Sequence, residues 1–197
     1  MSKKIKKKLK NKNKFKILYA GNLGKAQNFE KIIEISKKLR KEKKIIIQII
    51  GGGNRYSWVK KKIKDENITN ISLSNNLPFN KIPKYYADAD CLLISLKKDK
   101  FLNMTIPSKL QNYLSAKKPI LSFCGGETKK IIEENKCGLN LYNLSDKEIS
   151  EKIIYFSKSK KETLNNMSNR GYKFFKENFE INKIKEKFYQ ILINEKI

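Results

Sequence analysis

The sequence predicts an α/β protein built on a single doubly wound parallel sheet. Apolar runs of strand length alternate six times with amphipathic runs of helix length. That alternation calls for right-handed crossovers and helices on both faces of one sheet. The run "IIIQII" is almost continuously apolar, as expected of a strand buried on both faces. Glycines follow several of the strand-length runs directly, which sets backbone-rich turns along one edge of the sheet.

Taken in order, "FKILYAG" from Phe15 reads as a first strand closed by Gly21. "NFEKIIEISKKLRKE" places Phe29, Ile32, Ile33, Ile35 and Leu39 near helical spacing. "KIIIQII" is the second strand, ending in Gly51, Gly52 and Gly53, and "YSWVKKKIKDE" is a short helix. "NISLSNN" is the third strand, and "NKIPKYYADA" a helix with Pro83 near its start. "DCLLISLK" is the fourth strand, and "KDKFLNMT" the loop after it. Pro107 opens the next helix as its first helical residue, because the N–H that proline lacks would be unpaired there anyway. "PILSFCGG" is the fifth strand. "ETKKIIEENKCG" is a helix that Gly138 should terminate, and "LNLYN" is a last short strand. Two helical blocks, from about Asp146 to Phe179 and from Asn182 to Glu195, close the chain. Residues 1–14 form a lysine-rich leader expected to be disordered, and residues 15–197 one folded domain.

A chain of 197 residues can bury one substantial core but would cramp a two-domain enzyme. Its net charge of +26 suggests nucleic acid as a partner, but the charge is nearly all lysine. Arg40, Arg55 and Arg170 are the only arginines, whereas base-edge and bidentate phosphate recognition leans on arginine's planar fork. Lysine, asparagine and isoleucine are abundant together throughout, which looks like a coding bias toward A and T. The first sixteen residues hold nine lysines and no acid, and the rest of the excess is diffuse. Within the leader, Ile5 and Leu9 offer at most a weak contact with an anionic membrane. No run approaches the roughly 18 to 20 apolar residues of a membrane span, and no signal-peptide pattern follows the lysines. The expected location is the cytoplasm.

Cys91, Cys124 and Cys137 lie in or beside apolar segments without metal-ligand spacing, and read as reduced core residues. The chain has no histidine, which excludes a Ser/His/Asp triad, a histidine base and a histidine-containing metal site. A self-contained hydrolase does not fit.

Doubly wound sheets bind ligands beyond the C-terminal ends of their strands, so the loops there hold the candidate residues. In "AGNLGKAQN", Gly21 and Gly24 admit close backbone approach and Lys25 adds charge, which suits a diphosphate. The loop matches neither GxGxxG nor GxxxxGK[ST], and an ordinary strand-to-helix turn is an equal alternative. Gly51, Gly52 and Gly53 place a second glycine turn on the same edge. Asn75 and Asn76 could bond a base or sugar, although a plain Asx turn is the favoured reading. Ser108 and Lys109 sit in a first helical turn, where free N–H groups and the dipole favour an anion. Lys109 is the strongest phosphate candidate, with a solvated surface lysine as the alternative. Glu127 reads as a helix cap before a sugar contact. Asp88 and Asp90 precede the fourth strand and are read as structural, on the wrong side of the sheet for a ligand.

In order, "YAGNLGKAQNFEKIIE", "IIGGG", "YYADADCLLISL", "IPSKLQNYLSAKKPIL" and "CGLNL" resemble the C-terminal half of family 4 retaining glycosyltransferases of GT-B fold, of the type that builds bacterial surface polysaccharides. The resemblance implies a Rossmann-like half that binds a nucleotide-sugar, with UDP as the family-based choice, while the other half binds the acceptor. It implies that Gly21, Gly24 and Lys25 face the diphosphate, with Gly52 in the second glycine turn. Ser108 and Lys109 would hold the second phosphate or sugar end, and Ser74 to Asn76, with Asn75 among them, would flank the base. Lys25 and Lys109 would stabilise the departing nucleotide diphosphate together with the helix dipole, with neither a metal nor a further cofactor. The family's two glutamates, eight positions apart, are replaced by Met104 and Asn112; Asn112 can still hydrogen-bond a ribose, without charge. The usual catalytic histidine belongs to the acceptor half. The implied state is therefore a donor-binding domain inactive alone that works with an acceptor-binding partner chain, or a nucleotide-binding remnant.

Overall fold

The computed structural model describes residues 14–194, and the expected leader lies outside them apart from its last residue. Six strands form one parallel sheet: β1 Phe15–Ala20, β2 Ile45–Ile50, β3 Ile71–Ser74, β4 Cys91–Ile94, β5 Ile120–Ser122 and β6 Gly138–Asn140. Their order is β3-β2-β1-β4-β5-β6. The order reverses between β1 and β4, and such a switch point opens a crevice at the C-terminal ends of the two strands. β1 and β2 pair in full register from Phe15 opposite Ile45 to Ala20 opposite Ile50. Their following glycines, Gly21 and Gly51, therefore lie side by side.

The sheet separates two cores because successive strand residues point to opposite faces. Ile17, Tyr19, Ile47, Ile49, Cys91 and Leu93 pack into one core. The helices over that face are α1 Phe29–Lys38, α2 Tyr56–Asp65 and, further along, Asp146–Ser157. They contribute Phe29, Ile32 and Ile35, then Val59, then Ile149, Ile153 and Phe156. Leu18, Ala20, Leu92 and Ile94 face the other way. Against them lie α3 Ile82–Asp88, the helix Ser108–Ser115 with Leu110 and Tyr113, and the helix Gly126–Glu134 with Ile131 and Ile132. The predicted doubly wound sheet, covered on both faces, is the fold observed.

Four local readings need correction. The loop after β4 contains a short helix, α4 Lys100–Asn103, whose N-cap Asp99 accepts from the Leu102 N–H at 2.9 Å. Pro107 caps the next helix, α5 Ser108–Ser115, instead of beginning it: its ψ of 139° is extended, and Ser108 takes the first helical position. Gly138 does not terminate α6 Gly126–Glu134. The chain reverses at Lys136, which takes the left-handed conformation (φ 47°), and Gly138 opens β6, where a side chain would collide with the Ile120 carbonyl. The first C-terminal block is two helices, α7 Asp146–Ser157 and α8 Lys161–Asn178. α7 opens on a capping box in which Ser145 and Glu148 satisfy each other's backbone N–H. The last helix is α9 Ile181–Asn194.

Cys91, Cys124 and Cys137 are buried and free, as expected. Asp90 accepts from the Lys16 N–H at 2.7 Å, and Asp88 pairs with the Lys16 ammonium at 2.7 Å. Both carboxylates thus tie down the N-terminal half of β1, away from the C-terminal rim.

Candidate functional site

The site begins where β1 stops. The Gly21 N–H donates to the Ile50 carbonyl at 2.9 Å, and the Gly51 N–H to the Ser74 carbonyl at 3.1 Å. These bonds carry the sheet ladder one residue past the strands and lay three loops against one another. Gly51 has φ 156°, and a Cβ there would collide with the Gly21 carbonyl. The loops meet this closely because glycine occupies the contact. The Leu23 N–H then donates to the Gly52 carbonyl at 2.7 Å, joining the two glycine turns.

From the other side of the switch point, α5 sends two side chains to the end of β1. The buried Tyr113 hydroxyl accepts from the Ala20 N–H at 3.0 Å and donates to the Ala20 carbonyl at 3.2 Å. The Lys109 ammonium donates to the same carbonyl at 3.0 Å and lies 4.0 Å from the centre of the Tyr19 ring. It occupies the space that a side chain at Gly21 would fill. Burial pushes the Lys109 pKa down to about 8, with Cys124 opposing the shift weakly. A cation held by one carbonyl and one ring, without a carboxylate, is poorly compensated. A bound anion would compensate it.

Lys109 lines a cavity of about 280 Å³ together with Gly21, Asn22, Gln27, Ser95 and Ser108, among others. A second cavity, of about 240 Å³, shares Ala20, Gly21, Tyr86 and Asn112 with it and continues toward Gly51 and Asn76. An apolar recess of about 370 Å³ between α3 and α5 adjoins through Phe79, Ile82, Tyr86 and Asn112. The result is a groove over the ends of β1, β2 and β4, with the first turn of α5 at one side. Ser95, directly after β4, is fully buried, and its hydroxyl has no hydrogen-bond partner among the described residues.

The residues singled out from the sequence fall in different places. Gly21, Ser108, Lys109 and Asn112 line the groove. Gly52 lies directly behind it, against the side chain of Asn76. Asn76 is in the lining, whereas its exposed neighbour Asn75 is not. Lys25 is exposed on the one-turn helix Lys25–Gln27, whose Gln27 reaches the groove. The Gly24 N–H donates to the Gln27 Oε1 at 2.9 Å, so Gly24 shapes the turn. Met104 is exposed outside the lining. Arg55 is committed elsewhere, paired with Glu30 and stacked on Trp58 at 3.8 Å. Tyr113, Ser95 and Tyr86 escaped the sequence reading. For Ser95 a signal existed, since it is the first residue past the switch-point strand.

The sequence profile of the family "Glycosyl transferases group 1" matches residues 1–174. The chain belongs to that family. WcaI of Escherichia coli (strain K12), named as a colanic acid biosynthesis glycosyl transferase, is 31% identical over 103 residues, covering 52% of this chain and 25% of its own. WbjE of Pseudomonas aeruginosa, named as a glycosyltransferase, is 30% identical over 124 residues, covering 62% and 30% respectively. This group 1 glycosyl transferase chain thus spans a quarter to a third of the curated relatives it matches. Among solved structures, Anabaena HepE in complex with UDP-glucose superposes with a TM-score of 0.77 at 12% identity, over 97% of this chain and 52% of that one. S. aureus TarM, in a mutant complex containing UDP, gives 0.76 at 16% identity, over 90% and 35%. The C-terminal domain of the Francisella tularensis group 1 protein LpcC gives 0.66 at 17% identity, over 89% and 91%. These likenesses establish the fold, one Rossmann-like half of a GT-B glycosyltransferase.

Proposed function

We propose that this chain is the donor-binding half of a glycosyltransferase for cell-surface polysaccharide, and that its groove takes a nucleotide-sugar, with UDP as the nucleotide. The observation that carries the reading is the uncompensated ammonium of Lys109 at the β1/β4 switch point, beside Gly21 and the first turn of α5. A diphosphate there would replace the Ala20 carbonyl as the ammonium's partner and meet the free N–H groups of that turn. As the nucleotide diphosphate leaves the sugar its charge grows, and Lys109 and the helix dipole stabilise it, with Lys25 reaching in from the mobile end of its own side chain. These cations take the role a metal would otherwise have. Asn112 hydrogen-bonds the ribose, and Asn76 with its neighbour Asn75 borders the base.

Transfer requires an acceptor-binding domain or partner chain, and the chain alone is inactive. The setting is the cytoplasm; among the described residues no helix is long and apolar enough to cross a membrane. A second reading, a nucleotide-binding module without transfer activity, is favoured by one observation. Met104 and Asn112 stand where the resemblance places the family's two glutamates. Thermal denaturation with UDP and UDP-sugars tests the proposal. A rise in melting temperature with UDP supports it, and indifference to every nucleoside diphosphate removes it.

A further inference from the structure

The buried serines of this chain are employed by the fold, with one exception among the described residues. The Ser36, Ser150 and Ser168 hydroxyls donate to the carbonyls of Ile32, Lys147 and Leu164 at 2.7–2.8 Å. The Ser122 hydroxyl accepts from the Cys124 N–H at 3.0 Å. Ser95 has no exposed surface, and its hydroxyl bonds to none of the described residues. A buried hydroxyl without a partner destabilises the fold, so its presence calls for a reason.

The surroundings of Ser95 supply one. It directly follows β4, and extending that strand's alternation by one residue sets it on the face of Cys91 and Leu93. The turn after β1 crosses the same face and packs Leu23 into the same core. Backbone bonds hold the chain on both sides of Ser95: the Phe123 N–H donates to the Ile94 carbonyl at 3.0 Å, and the Lys97 N–H to the Ala26 carbonyl at 2.8 Å. Ser95 thus lines the cavity of about 280 Å³ together with Gln27, Ser108 and Lys109, and no carboxylate lines it. A spare O–H donor beside an ammonium suits an anion with several acceptor oxygens.

Position along the groove decides which part of the ligand Ser95 meets. The neighbouring cavity, which continues to Gly51 and Asn76, shares Gly21 and Asn112 but does not include Ser95. With the base at the Asn76 end and the ribose at Asn112, Ser95 lies at the end that the second phosphate reaches. We propose that the Ser95 hydroxyl donates a hydrogen bond to the terminal phosphate of a nucleoside diphosphate, and so favours a diphosphate over a monophosphate. This assignment rests on the nucleotide reading above and adds a binding residue to it. The fixed backbone on either side holds the donor in place before the ligand arrives.

Calorimetric titration of the full 197-residue chain and its Ser95→Ala variant with UDP and with UMP tests the assignment. The parent should bind UDP more tightly than UMP. The variant should bind UDP about tenfold more weakly, as for the loss of one hydrogen bond to a charged group, and UMP within about twofold of the parent. Without nucleotide it should melt no lower than the parent, because alanine removes a hydroxyl that bonds nothing else in the chain. Unchanged UDP affinity overturns the inference and leaves the hydroxyl to water. Equal weakening of both nucleotides, or a free variant that melts well below the parent, overturns it by making Ser95 a structural residue. A parent that binds neither nucleotide removes the diphosphate reading and this inference with it, whereas a parent and variant that bind UDP alike remove the inference alone.

Discussion

Replacing Lys109 with methionine should separate binding from stability. Methionine keeps an unbranched side chain and removes the charge. Burial lowers the Lys109 pKa from 10.5 to about 8, and at about 1.4 kcal/mol per unit that corresponds to roughly 3 kcal/mol of cost for the buried ammonium. Partial exposure of the side chain reduces this to about 2 kcal/mol. The Ala20 carbonyl keeps its bond from Tyr113 when the lysine is removed, so no buried acceptor is orphaned. At neutral pH, Lys109→Met should therefore melt no lower than the parent, and about 4–8 °C higher. Between pH 8 and 10.5 the native parent binds fewer protons than its unfolded chain, so its stability rises with pH. The variant's advantage should accordingly be full below pH 8 and fade to nothing near 10.5. The same variant should lose the melting shift produced by UDP, which for the parent reaches about 2.7 kcal/mol at a hundred times the dissociation constant. Scanning calorimetry with and without UDP across this pH range measures both effects. A variant that melts lower at pH 7 yet keeps the UDP shift would refute the reasoning and leave Lys109 a structural residue.

Gly51→Ala should cost more than about 2 kcal/mol, because the new Cβ meets the Gly21 carbonyl on a backbone that only glycine tolerates well; denaturant unfolding reads the loss, and UDP binding should weaken with it. Asp90→Ala should orphan the Lys16 N–H and lower the melting temperature by about 5 °C. Because Asp90 lies at the other end of β1 from the groove, the UDP shift should persist.

Much of this fold was legible because its signals are local and repeated. The almost continuously apolar run of β2, and the glycines directly after β1 and β2, name both a buried strand and the edge that holds the site. The structural reading of Asp88 and Asp90 followed from their place before β4, and their contacts with Lys16 agree. Other features were set by tertiary contacts. Gly138 looked like a helix terminator, yet the reversal falls on Lys136 and the glycine is needed where β6 approaches the Ile120 carbonyl. The break at Lys158–Lys160 carries no glycine or proline to announce it. Lys109 illustrates the limit best. Sequence places it in a first helical turn, but only the packing of α5 against β1 folds its ammonium onto the Ala20 carbonyl. Tyr113, which the sequence reading did not single out, proves to hold both backbone groups of Ala20.

The central claim is that a nucleoside diphosphate binds over the ends of β1 and β4. Titrating UDP into ¹⁵N-labelled protein and following backbone amides by NMR tests it most directly. The account predicts saturable shifts at Gly21, Asn22, Gly51, Ser95, Ser108 and Lys109, with Lys16 and Asp90 unmoved. Shifts confined to the opposite end of the sheet, or none at millimolar UDP, would contradict it.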